Sequence, residues 1–309
     1  MDDSIKTYKC PNCGAALTFD SKTQKLHCSH CDTSIDVEAM KALSDTPSGT
    51  DQDNARWNTS DAGSNWSSGE QQGMRSYHCP TCGAELVTDE TTAASTCAYC
   101  GSPVVLSDHL SGAKRPNYVI PFKVDKKTAK ETLKNFYKGK IFLPRAFSAE
   151  NHLEEISGIY VPFWLYSCES KGSFSFDATR THHYTDGDYD VTETEHYLVL
   201  RDGEARFNNI PVDGSSKMDD AYMDAIEPFD YSAITDFHTD YLPGYAAQTY
   251  DEDATACAPR ATARVKNTTI AAIRRTCDYT TLTPRTSKIS TTQNSVDYAL
   301  LPVWMLTTN

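Results

Sequence analysis

Eight of the eleven cysteines fall into one pattern used twice. Cys10-Pro11-Asn12-Cys13-Gly14 is followed, with fourteen residues between Cys13 and Cys28, by Cys28-Ser29-His30-Cys31. Cys79-Pro80-Thr81-Cys82-Gly83 is followed at the same distance by Cys97-Ala98-Tyr99-Cys100, and the offset between copies is 69 residues throughout. Two C-x-x-C pairs supply four sulfurs, and four sulfurs at about 2.3 Å are what a tetrahedral Zn²⁺ takes in a structural site. Each pair comes from one tight turn. Proline after the first cysteine stiffens that turn, and glycine after the second accepts the left-handed conformation that ends it. In the second turn of the first copy Asp32 replaces glycine and tolerates that conformation less well.

The rival chemistries are weaker. A disulfide framework needs an oxidising compartment, and no secretory signal is readable: Met1-Asp2-Asp3 is acidic where basic residues belong, with no apolar run behind it. A thioredoxin-like redox pair would be one C-x-x-C in a βαβ context. An iron site of the rubredoxin type uses the same four ligands and stays open on spacing alone. The ligand set is Cys10, Cys13, Cys28 and Cys31, with Cys79, Cys82, Cys97 and Cys100, for two zinc ions per chain. His27, His30 and His78 flank these residues and are read as neighbours of the sulfurs, not as ligands.

Other constellations are set aside. Asp186, Asp188 and Asp190 have the start of a calcium-loop spacing, but Val191 and Tyr197 stand where glycine and glutamate are needed, so they read as a solvated hairpin loop. His182, His183, His196 and Cys168 are read as strand residues instead of a third metal site. Cys257 and Cys277 are read as small residues of one helix. No nucleophile elbow, zinc-protease helix or phosphate loop occurs, so the chain is expected not to be an enzyme.

The elements that must position the cysteines follow from composition. A chain of 309 residues allows roughly two domains. The expected organisation is a first zinc ribbon over 1–43, a linker over 44–74, a second ribbon over 75–110 and an α+β domain over 111–309. Residues 44–74 are rich in Ser, Asp, Asn, Gly and Gln and read as a flexible tether. Trp57 and Trp66 stand out in it, as chance apolar residues or, second, as a docking motif. The α+β domain is expected as β-hairpins with packed helices. A strand over Tyr118–Val124 leads to a helix from Asp125 to about Lys138, ended by Gly139, and a short helix from Ser148 leads to a strand over Ile159–Glu169. Lys171-Gly172 and Asp202-Gly203 read as hairpin turns. Helices are expected over about Lys217–Ile226 and Pro259–Cys277. Tyr160-Val-Pro-Phe-Trp-Leu165 and Leu300-Leu-Pro-Val-Trp-Met305 read as a pseudo-repeat whose prolines sit at edges or bulges. Tyr298–Asn309 reads as the first strand of a hairpin whose partner is missing, which implies a chain truncated at its C-terminal end.

Lys and Arg number 29 against 42 Asp and Glu, a formal charge of −13. Such a chain is poorly suited to gripping phosphates, and the ribbons carry no basic excess: residues 1–45 hold five Lys/Arg against seven Asp/Glu, residues 75–115 three against four. Charge is segregated over residues 218–277. Residues 218–258 carry ten acids and no base, and 259–277 carry Arg260, Arg264, Lys266, Arg274 and Arg275 with no acid. That basic helix is expected to pair with the acidic segment of its own chain before any lipid or nucleic acid. The longest apolar runs are about half a membrane span.

The two C-P-x-C-G … C-x-x-C modules resemble transcription-factor-IIB-type zinc ribbons. With Tyr118-Val-Ile-Pro-Phe122, Pro144–Glu154, Ile159–Tyr166, Ile210–Met218 and Tyr241-Leu-Pro-Gly244, the whole chain resembles the bacterial family of tandem zinc-ribbon proteins. Some members of that family sit beside phage-shock-type membrane-stress proteins, which implies adaptor work near the membrane. Others carry a replication-helicase label, although no helicase phosphate loop is present here. The reading is a non-catalytic, zinc-binding adaptor or scaffold of the cytoplasm that engages a protein partner, with peripheral membrane association through partners. The alternative is a nucleic-acid-binding replication or transcription accessory.

Overall fold

The computed structural model describes residues 8–10, 13–45, 55–89, 94, 96–107, 113–138 and 156–306. Its strands are β1 Thr18–Asp20, β2 Lys25–His27, β3 Ser34–Asp36, β4 Met74–His78, β5 Glu85–Asp89, β6 Val105–Ser107, β7 Tyr118–Val119, β8 Ser157–Asp186, β9 Tyr189–Asp213, β10 Thr235–Asp236, β11 Ala246–Gln248 and β12 Thr281–Met305. Its helices are α1 Val37–Asp45, α2 Ser68–Gln72, α3 Lys126–Tyr137, α4 Asp220–Ala225 and α5 Ala254–Arg274. Sheet dominates and helices are few, which agrees in outline with an α+β chain. The helix expected from Ser148, the stretch Pro144–Glu154, Gly139 and Pro11 lie outside the described residues.

Two compact units divide the chain. The first comprises Met1–Asn54, Ser170–Ala205 and Lys266–Ser290. Within it β1, β2 and β3 form an antiparallel sheet of their own, with Leu26 set opposite Phe19 and Ile35. Leu17, Leu26 and Met40 with Cys10 and Cys28 make a very small core there. The outer portions of β8, β9 and β12 supply a second core, Phe174, Phe176, Ala178, Val199 and Ile289.

Neither glycine pair in these long strands makes a turn. β8 runs straight through Lys171-Gly172 and β9 through Asp202-Gly203, and the chain reverses only at Gly187, with φ +61°. The glycines are needed for a different reason: a Cβ on Gly172 would overlap the Phe174 ring, and one on Gly203 the end of Ile273. Glycine inside a strand marks close approach as readily as a turn.

The second unit comprises Ala55–Glu169, Arg206–Val265 and Thr291–Asn309. Its sheet runs β10-β7-β12-β8-β11-β5-β4-β6, with β9 also paired to β8. The order is symmetric about the β12/β8 junction. On one side β7 runs parallel to β12 and β10 antiparallel to β7; on the other β11 runs parallel to β8 and β5 antiparallel to β11. The pseudo-repeat lies on this symmetry. The register of β8 with β11 reaches Tyr160 and that of β12 with β7 reaches Leu300, each two residues before a proline, so Pro162 and Pro302 stand just beyond the parallel ladders. Proline's missing donor costs nothing there.

Both faces of the central strands are buried. Tyr160, Trp164, Tyr166, Val296, Tyr298 and Leu300 lie in one core, and Ile159, Val161, Phe163, Leu165, Ala299 and Leu301 in the other. That alternation is the period-two pattern of a strand covered on both sides. The unpaired strand expected over Tyr298–Asn309 is corrected for the described residues: Tyr298–Met305 is the end of β12, flanked in the sheet by β7 and β8.

Two further expectations change. Residues 46–54 lie outside the described residues, but 55–74 are folded, not a free tether: Trp57 meets Tyr166 edge-on at 4.9 Å, and Trp66 meets Phe237 at 5.8 Å. The tryptophans outweigh the polar composition around them. The last helix begins at Ala254, not Pro259, because Asp253 accepts from the Thr255 and Ala256 amides and caps it. Pro259 is then interior and costs one helical hydrogen bond. Arg260 pairs with Asp213, Asp220 and Asp224, and Arg264 with Asp224 and Glu227, as the internal-pairing reading expected.

Candidate metal centres

All four C-x-x-C turns share one backbone design. The first cysteine's amide donates to the carbonyl five residues on: Cys10 to Ala15 at 2.7 Å, Cys28 to Thr33 at 2.8 Å, Cys79 to Ala84 at 2.9 Å and Cys97 to Ser102 at 2.8 Å. In three turns the closing glycine donates back, Gly14 to Cys10, Gly83 to Cys79 and Gly101 to Cys97. The position after the second cysteine is left-handed in every turn: φ is +77° at Gly14, +54° at Asp32, +72° at Gly83 and +70° at Gly101. Asp32 bears the Cβ cost that the glycines avoid. Asp32→Gly is therefore expected to stabilise the first ribbon by about 1 kcal/mol, read as a higher midpoint for its local unfolding in native-state hydrogen exchange.

These turns bring the eight cysteines together as two groups of four, each with all its sulfurs within 4.8 Å of one another. Cys10 and Cys31 Sγ are 3.6 Å apart, Cys13 and Cys28 3.5 Å, Cys79 and Cys100 3.5 Å, Cys82 and Cys97 3.7 Å. A tetrahedron with about 2.3 Å from metal to sulfur has edges of about 3.8 Å. Donor type, number and spacing all fit a divalent ion that prefers sulfur, and the two groups fit tandem zinc ribbons. The Thr33 hydroxyl draws the Cys31 thiol down to about 6, and the Ser102 hydroxyl does the same for Cys100. Burial holds Cys97 up at about 12. A bound cation would bring such unequal thiols to one ionisation state, because the thiolate is the ligand.

The flanking histidines stay outside both groups. His27 Nδ1 meets Ser34 Oγ at 3.3 Å, and His30 and His78 are exposed. His182, His183 and His196 are exposed on the β8–β9 hairpin while Cys168 is buried. Among the described residues no third group of metal-ligating side chains forms. Asp186, Asp188 and Asp190 lie at the exposed hairpin turn.

The two groups differ in their setting. In the first, Cys13 and Cys31 are exposed. In the second no cysteine is exposed, and β4, β5 and β6 belong to the large sheet, with β5 paired to β11 at Leu86–Gln248 and Val87–Ala247. Tyr99, between ligand residues Cys97 and Cys100, donates its hydroxyl to Gln248 Oε1, and Gln248 Nε2 donates to Ser215 Oγ at 2.8 Å. Ser215 also accepts the Lys217 amide, and Lys217 Nζ lies 2.9 Å from Asp251. Burial raises the Tyr99 hydroxyl well above its ordinary value, so it remains a donor. Spacing alone did not reveal Tyr99, Gln248, Ser215 or Lys217; the one available signal was the stretch Ile210–Met218, which carries Ser215 and Lys217.

No family model matches the chain, and no solved structure matches it. Among curated proteins it is similar to the uncharacterized protein YdjG of Bacillus subtilis (strain 168), 36% identical over 303 residues, which covers 98% of this chain and 83% of the relative.

Proposed function

The chain belongs to the same family as YdjG of Bacillus subtilis, and from that premise we propose that it is a zinc-binding protein without catalytic activity, an adaptor or scaffold of the cytoplasm that engages protein partners. The observation that carries the metal half is the sulfur geometry: two all-cysteine sets whose cross pairs lie at 3.5–3.7 Å, near the edges of a zinc–thiolate tetrahedron. Zinc would lock the two turns of each ribbon together and so hold a fold whose apolar core is too small to do it alone.

The binding half is supported by where the charge goes. Arg260 and Arg264 of the basic helix are spent on Asp213, Asp220, Asp224 and Glu227. The ribbons hold no excess of base and offer a phosphate backbone little to grip, and with a formal charge of −13 over the chain, the lysines of α3 notwithstanding, a protein surface is the better-matched partner.

Purified under reducing conditions, the chain is expected to contain two zinc ions by elemental analysis. Both should be released by a thiol-modifying reagent with spectroscopic detection of the freed metal. One ion per chain, or iron in place of zinc, overturns the metal assignment. Retarded migration of a generic duplex at physiological salt would overturn the preference for protein partners.

A further inference from the structure

The stretch Arg56–Trp66 crosses the second unit as an irregular segment, and the grips on it come from the body's side chains to the segment's backbone. Asn294 Nδ2 donates to the Arg56 carbonyl at 2.7 Å, and Asn117 Nδ2 to the Asp61 carbonyl at 3.2 Å. The Gly63 amide donates to Asn117 Oδ1 at 2.7 Å, and Lys114 Nζ to the Ala62 carbonyl at 2.9 Å. One two-way backbone bridge joins Ser64 to Arg115. At either end an indole is anchored: Trp57 on Tyr166, with its Nε1 donating to Thr262 Oγ1 at 3.0 Å, and Trp66 on Phe237, with its Nε1 donating to the Ala113 carbonyl at 2.9 Å.

A segment of a folded core is normally held by its own ladder and its own apolar side chains. This one is held the way a bound peptide is held. Its backbone is read by fixed side-chain donors and acceptors around a turn in which the Ala62 amide donates to the Thr59 carbonyl at 3.3 Å and Gly63 takes φ +73°, and two aromatic anchors flank the small, buried Ala62. Between the anchors the segment offers Asn58, Thr59, Ser60, Asp61, Ala62, Gly63, Ser64 and Asn65, none of them a large apolar residue.

We propose that this face of the second unit is a peptide-binding groove, that residues 56–66 are its resident occupant in cis, and that in trans it takes a near-neutral peptide segment of a protein partner with a glycine turn between two aromatic anchors about nine residues apart. The resident segment defines the chemistry of the partner and competes with it, so capture requires the strap to leave. Local release of such a segment costs only part of the global stability. The inference deepens the binding role and stands apart from the metals: a chain that holds two zinc ions but captures no peptide loses this surface and keeps the metal reading.

The test uses the full chain and a fluorescently labelled peptide with the sequence of residues 55–67. Trp57→Ala/Trp66→Ala frees the groove, and this variant is expected to bind the peptide saturably by anisotropy. The unmodified chain should bind it at least tenfold more weakly, and a peptide with alanine for both tryptophans should not bind. Absence of binding to a variant that keeps its near-ultraviolet spectrum overturns the proposal, and so does formation of a dimer that excludes added peptide, which would mean exchange between copies. A variant that fails to fold is replaced by native-state hydrogen exchange on the unmodified chain. There the Gly63 and Ser64 amides are expected to exchange at least a hundredfold faster than Ile120, whose amide bonds Leu300 inside the sheet. Equal rates would make the segment an inseparable part of the fold and overturn the proposal.

Discussion

Cys82→Ala is expected to abolish the cooperative unfolding transition of the second unit, whereas Cys13→Ala is expected to leave that transition in place. The two substitutions remove equivalent ligands from sequence-equivalent ribbons, and the difference lies in what each ribbon is built into. Around Cys13 the sheet is β1, β2 and β3 alone. Around Cys82 the strands are the outer three of the large sheet, joined through β5 and β11 to the parallel pair at Ile159–Tyr160. Tyr99 also ties the second turn of that ribbon to Gln248 and Ser215. Structural zinc contributes roughly 10–16 kcal/mol in small ribbons and fingers, as much as the whole stability of an ordinary domain at about 5–15 kcal/mol. Losing it where the ribbon is part of the sheet therefore removes the margin of the sheet itself. All four tryptophans, Trp57, Trp66, Trp164 and Trp304, belong to the second unit, so near-ultraviolet dichroism reports on that unit specifically. The tryptophan signal should collapse in Cys82→Ala. In Cys13→Ala it should persist, with a midpoint within a few degrees of the parent, since a loss confined to the first ribbon takes no free energy from this transition. Equal behaviour of the two variants would refute the unequal coupling of the centres.

The cysteine groups were legible in the sequence because each turn is local. Two ligands three residues apart and a residue that must take positive φ, with a proline in the first turn of each ribbon, are all decided within six positions, and the structure places the sulfurs accordingly. The body was legible only where the signal was equally local, as in the apolar alternation of Ile159–Leu165 and the capping aspartate at Asp125, which accepts the Thr128 amide. Lys171-Gly172 and Asp202-Gly203 misled because a glycine that makes a turn and a glycine that admits a neighbouring ring look alike until the partner is known. Phe174 and Ile273 are those partners, and Ile273 is far along the chain. Trp57 and Trp66 misled for the opposite reason. Composition averaged over some thirty polar residues points to a solvated tether, yet two indoles with matched hydrogen-bond partners at Thr262 and Ala113 suffice to hold the segment down. Pro259 suggested a helix start that Asp253, six residues earlier, already provides.

The remaining large effect belongs to Arg260. Asp213 is 1% exposed, and its one cationic contact on Oδ1 is Arg260 Nη2 at 3.0 Å; Oδ2 has no partner. Burial pushes the Asp213 carboxyl above its ordinary 3.8 even with the Arg260 guanidinium opposing it. Arg260→Leu leaves that carboxylate buried without its counter-charge and also frees Asp220 and Asp224 from their shared partner. Breaking a buried pair on one side costs about 3–5 kcal/mol, so the variant should be strongly destabilised at neutral pH by thermal or urea unfolding. The pH dependence has a definite sign. A carboxyl whose folded-state pKa is raised binds more protons folded than unfolded, so its contribution to stability is present at low pH and is lost as pH rises through the raised value. Removing Arg260 takes away the largest influence that lowers Asp213, so the window of loss widens upward from about 3.8. Arg260→Leu should therefore recover part of its stability between neutral pH and about pH 4–5, where the parent, with most of its carboxylates paired or exposed, gains nothing comparable. Arg260→Leu/Asp213→Asn removes the orphaned charge and is expected to regain most of the loss at neutral pH. If instead the double variant is as unstable as the single one and neither responds to acid, the cost comes from lost packing of the arginine stem against α4, and the buried charge is not what Arg260 is there to balance.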